Sequence, residues 1–132
     1  MKSLLAVTAF IEAAAGVALT CCPSVAVALL LGVPLGAPAA IALGRVAGAA
    51  LFALGLACWL AHYDAQSRAA RGLVAAMMAY NLGAVAILGN AGFRWQAVGI
   101  ALWPAVVLHV AMTVWCIACS RLTTPRTAAR IQ

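Results

Sequence analysis

The sequence predicts an all-α fold, an integral membrane four-helix bundle, on three observations. Hydrophobic residues make up 67% of the chain and charged residues 8%, against roughly half and about a quarter in soluble domains. The apolar residues fall into four stretches, each close to the ~20 residues that cross a bilayer. The few basic residues gather near the ends of those stretches instead of along them. A soluble domain of this size keeps much of its surface in water, and so few polar side chains would leave that surface bare. Hydrocarbon removes the requirement.

The first stretch, residues 3–22, is apolar apart from Ser3, Thr8, Glu12 and Thr20. Lys2 ahead of it gives the outline of a signal peptide, but Glu12 interrupts the apolar run, so the stretch reads as a retained helix ending at Cys22-Pro23. Ser24 to Pro38 is apolar yet broken by Gly32, Pro34, Gly36 and Pro38, residues that interrupt helices. Its apolar run Val25–Val33 is too short to cross alone. Three conformations fit it: a piece lying at the interface, a re-entrant turn, or an extension of the first helix. Buried backbone must be hydrogen-bonded in lipid, which favours some helix there.

Residues 39–63, 72–89 and 97–120 supply the remaining three spans of a single domain, 1–132. The connections at 64–71 and 90–96 are short, so neighbouring helices are expected to run antiparallel. The tail from Leu122 is polar, contains Pro125 and is expected to fray. No internal repeat is evident.

Basic residues set the expected orientation. With the N-terminus in the cytoplasm, Lys2, Arg68, Arg71, Arg121, Arg126 and Arg130 lie inside, Arg94 lies outside, and Arg45 falls within a span. The expected location is therefore a bacterial inner membrane, multi-pass, with both termini cytoplasmic. Trp59, Tyr63 and Trp115 fall near the inner interface in this frame, and Phe93, Trp95 and Trp103 near the outer one.

Composition also argues against several functions. The net charge is +6, but no basic stripe carries interleaved aromatics, so nucleic acid is not an expected partner. No phosphate-binding or dinucleotide-binding glycine pattern follows a strand. The only two acidic residues, Glu12 and Asp64, argue against paired-carboxylate catalysis. No cofactor is implied, and a non-enzymatic role is expected.

Small residues mark helix contacts. Gly44 and Gly48 have the spacing that lets two helix backbones approach. Gly48 and Gly55 share a face of the second span, as Ala13, Gly16 and Thr20 do on the first. Such a stripe serves packing within the bundle or a face for a second copy or a partner helix.

The polar residues within the spans carry most of the information, because ionisable groups in lipid are costly and turn inward. Glu12 and Asn81 each lie about 13 Å from the cytoplasmic ends of their helices, and His109 about 16 Å. Arg45 enters from the opposite end. The expectation is an interior cluster in which Glu12 pairs with Arg45, Asn81 and His109 hydrogen-bond nearby, and Tyr80 and Trp103 stand behind them as donors. Such a cluster is either a clasp that fixes bundle register or a site for a small polar or amphipathic ligand or a proton path, since histidine titrates in the useful range.

Five cysteines are an odd count set in apolar segments, where free cysteine packs as a small hydrophobe. A rival reading gives soft-metal handling to Cys21, Cys22, Cys116 and Cys119, the last two sharing a helix face. Cys21-Cys22-Pro23 resembles the adjacent pairs of small mercury-transport membrane proteins, without the second pair such proteins carry.

Leu31-Gly32-Val33-Pro34-Leu35 ahead of the second span, Gly44-Arg45 with Gly48 within it, Tyr80-Asn81 in the third and Leu108-His109 in the fourth together resemble the DoxX-like small four-helix bacterial membrane proteins. The resemblance implies an accessory subunit of a membrane oxidoreductase or an assembly factor, and supplies no catalytic residue. The expected function is thus an accessory, scaffold or small-ligand-binding membrane component. Its expected partners are membrane lipid and either further copies or a larger membrane complex. The alternatives are a small proton-coupled carrier and the soft-metal handler.

Overall fold

The computed structural model describes residues 1–96 and 99–122, and within them every regular element is helical. Helix α1 covers Lys2–Cys21, α2 Pro23–Leu31, α3 Pro38–Ala61, α4 Arg68–Arg94 and α5 Leu102–Leu122, with a 3₁₀ turn at His62–Asp64. Four of these helices, all but α2, are long and apolar enough to cross a membrane. The chain is a multi-pass membrane protein.

The ends of the helices follow from local chemistry. A single residue, Cys22, separates α1 from α2, and Pro23 opens α2 at a position where a missing N–H costs nothing. Helix α2 ends at Gly32, which takes φ 80°, a backbone that glycine adopts without strain. It is a separate helix of nine residues and not an extension of the first, about 14 Å long and half a crossing. Pro38 opens α3 in the same way as Pro23 opens α2.

Helix α4 is longer than the predicted 72–89 at both ends. The Ser67 hydroxyl accepts the Ala70 N–H at 3.0 Å, so the helix starts at Arg68. Arg68 and Arg71 fall in the predicted 64–71 connection, but arginine is a good helix former once a cap precedes it. At the far end Asn90 and Gly92 do not stop the helix, and it runs to Arg94. Helix α5 begins at Leu102, later than the expected 97, and carries Pro104 in its first turn. The topology residues Arg126 and Arg130 lie outside the described residues.

The helices pack as two close pairs, α1 with α3 and α4 with α5. In the first pair the glycines of the predicted stripes face each other. A Cβ on Gly48 would sit 2.6 Å from the Thr20 backbone nitrogen, and one on Gly16 2.7 Å from the Gly48 carbonyl oxygen. Backbone therefore meets backbone, a distance only glycine permits. The stripe is used inside the bundle, between α1 and α3.

The pairs join in the half of the bundle that holds the N-terminus. There Leu4, Leu5 and Ala9 of α1, Cys58 of α3, Val74 and Met77 of α4, and Met112 and Cys116 of α5 form one buried core. In the opposite half the pairs part, and α2 lies across the gap. Its Pro23 end abuts Gly44 of α3. At its other end the Ala101 N–H donates to the Leu29 carbonyl at 2.9 Å. Ser24 ties α2 to the following loop by donating to the Leu35 carbonyl at 3.0 Å.

Candidate functional site: a cavity between the helix pairs

Where the pairs part they enclose a cavity of about 540 Å³, a volume typical of small-molecule sites. Each element contributes to it: Ile11, Glu12, Ala15 and Leu19 from α1, Leu30 from α2, Leu51 from α3, Tyr80, Gly83 and Ala84 from α4, and Ala105, Leu108 and His109 from α5 among others. Its polar residues gather at one end. Glu12, Tyr80 and His109 lie next to the packed core, and the wall between them and α2 is apolar. Ile87 and Leu108 stand exposed at the rim, so the cavity opens toward the lipid-facing surface.

Three helices converge on that polar end. Glu12 is 3% exposed on α1, and the Tyr80 side chain of α4 stands beside it. The Tyr80 ring meets the His109 ring of α5 edge-on, centroids 5.7 Å apart. Behind them lies Asn81, 1% exposed. Its amide nitrogen donates to the Met77 carbonyl at 2.7 Å, which leaves its oxygen to face the His109 Nδ1 at 2.7 Å. This assigns the proton of a neutral His109 to Nδ1 and leaves Nε2 as an acceptor. Thr113 completes the local network by donating to the His109 carbonyl at 2.8 Å. Among the described residues, no buried side-chain nitrogen or oxygen lacks a partner.

Of the residues predicted to cluster, the structure brings together Glu12, Tyr80, Asn81 and His109. It keeps Arg45 and Trp103 apart from them. Arg45 is exposed, and the side chain beside Glu12 is Tyr80, not Arg45. The reason is rotational. Arg45 shares a stripe of α3 with Phe52, seven residues on, and Phe52 lines a shallow groove on the other side of the α1–α3 pair, with Phe10, Gly55 and Trp59. The α3 residue that reaches the cavity is Leu51. Trp103 packs edge-on against Phe93, centroids 4.9 Å apart, at the end of the bundle and 45% exposed.

The cysteines do not converge as the metal reading requires. Cys21 and Cys22 are exposed at the α2 end, whereas Cys116 and Cys119 are buried at the opposite end. Among the described residues no group of three or more His, Cys, Asp or Glu side chains has metal-binding proximity. The cavity walls, in contrast, were not readable in the sequence. Ala15, Gly83, Ala84 and Ala105 are ordinary small residues of membrane helices, and only their joint position makes a void.

No known protein family, curated protein or solved structure matches the chain.

Proposed function

We propose that this membrane protein is a small-ligand-binding component, non-enzymatic, whose site is the cavity between its two helix pairs. One observation carries the reading: a cavity of about 540 Å³ with apolar walls and Glu12, Tyr80 and His109 at one end. Sites for small molecules have this make-up, mostly apolar with a few placed polar groups. A clasp that only fixed helix register needs no space beside it.

The cellular setting belongs to the same proposal. A bacterial inner membrane, cytoplasmic termini and a role beside larger membrane assemblies agree with the distribution of basic residues and with the DoxX-like layout. The same cavity supports a second reading, a proton-coupled carrier, because two of its polar residues, Glu12 and His109, titrate.

Gly83 offers a direct test. It lines the cavity, and a Cβ there meets nothing within 4 Å. Gly83→Phe puts a ring into the void one turn from Tyr80 and improves helix propensity. Purified wild-type protein should carry a small molecule through native mass spectrometry, and Gly83→Phe should lose it while keeping its circular dichroism. Equal occupancy of the two proteins would rule the cavity out as the site.

A further inference from the structure

We infer that the cavity takes a lipophilic cation, an amine or onium ion with an apolar body, and that this cation and a proton compete for the Glu12 carboxylate. The inference rests on the proposed function and names the ligand class of that same site.

The argument begins with what surrounds Glu12. It is a buried acid within a membrane span, where a carboxylate is stable only with company. The titratable groups near it are Tyr80 of α4, His109 of α5 and, through the field, Cys58 of α3. None of these is a permanent cation. His109 turns its Nδ1 to Asn81, and Arg45, the basic residue placed within a span, is exposed on another face. The carboxylate thus has Tyr80 beside it and, among the described residues, no fixed counter-ion. A proton or a mobile cation must supply the missing charge.

The rest of the site fits a cation with an apolar body. His109 Nε2 and the Glu12 oxygens are acceptors, so the polar end favours a head that donates or carries positive charge. The Tyr80 ring offers its face or edge beside the carboxylate, and aromatic faces attract desolvated cations. Leu19, Leu30, Leu51 and Leu88 line the space beyond and suit hydrocarbon. Charge balances simply. When the cation enters a site whose Glu12 holds a proton, that proton leaves to water and the carboxylate pairs with the cation, one proton for one charge.

The test uses the full chain in a neutral detergent, with tetraphenylphosphonium as the cationic probe and triphenylmethanol as a neutral probe of similar bulk, both followed by calorimetry. Tetraphenylphosphonium should bind at one site per chain. Its affinity should fall at least about tenfold on acidification, because protonation removes the partner charge. Glu12→Gln should abolish binding, and Glu12→Asp should restore part of it together with the pH dependence. Gly83→Phe should abolish binding with Glu12 intact. Binding of triphenylmethanol alone, blocked by Gly83→Phe and indifferent to Glu12→Gln, overturns the cation assignment and leaves the cavity as a ligand site. Binding of both probes unaffected by Gly83→Phe overturns the cavity reading itself.

Discussion

The seam between α1 and α3 and the gap between the two helix pairs are built from the same kinds of residue, and they end up opposite in character. At the seam Gly16 and Gly48 let backbones touch, so that an added Cβ would stand 2.5 to 2.9 Å from main-chain atoms. At the gap Gly83, Ala84, Ala15 and Ala105 face one another across open space. Small side chains therefore do not by themselves draw helices together. They remove an obstacle, and the partner backbone must then be brought in by something else. In the α4–α5 pair the Asn81–His109 hydrogen bond is one such tie. Across the gap, α2 lies between the helix ends and the polar end needs room around Glu12, so the small residues leave a void.

The sharpest way to break this contrast is to fill the seam. Gly48→Leu places side-chain atoms where the Thr20 backbone already is. Overpacking of this kind costs about 3 kcal/mol or more where backbone cannot yield, so denaturation in mixed micelles should show a large fall in stability. The α4–α5 tie should matter less. Asn81→Ala removes the Met77 and His109 bonds, and interhelical polar contacts in membranes contribute about 0.6 to 1.7 kcal/mol. The same assay should give a loss in that range. Smallest of all should be Arg45→Leu. With its side chain exposed and apart from the cavity, the change should alter stability by less than about 0.5 kcal/mol and leave ligand occupancy intact. A loss comparable to that of Asn81→Ala would mean that Arg45 reaches inward after all.

Much of this architecture was legible in the chain. Hydropathy located the four spans, because a bilayer demands length and apolarity and little else. Rarity located the polar end, because Glu12, Asn81 and His109 are among the few polar side chains in the middle of the spans. Depth placed them at a common level. Rotation was the missing coordinate. A soluble helix announces its buried face by an apolar stripe, but α3 is apolar on every side save at Arg45, and its glycines mark the packed direction. Arg45 and Gly48 are three residues apart, about 60° around the helix, and that angle turns Arg45 away from the cavity onto the exposed stripe of α3. The cap at Ser67 is masked in the sequence by the neighbouring arginines, and α2 is hidden because Pro23 and Gly32 mark the ends of a short helix as readily as the absence of one.

Helix α2 has a consequence for supply. It lies across one end of the void, with its Leu29 carbonyl bonded to Ala101 and Leu30 facing inward, while the opening lies at the side, by Ile87 and Leu108. A solute dissolved in the surrounding medium meets a roof there, whereas one dissolved among acyl chains meets a doorway. The quantity that governs filling is then the partition coefficient into the bilayer. Two molecules with equal fit should differ in apparent affinity by their ratio of solubilities in lipid.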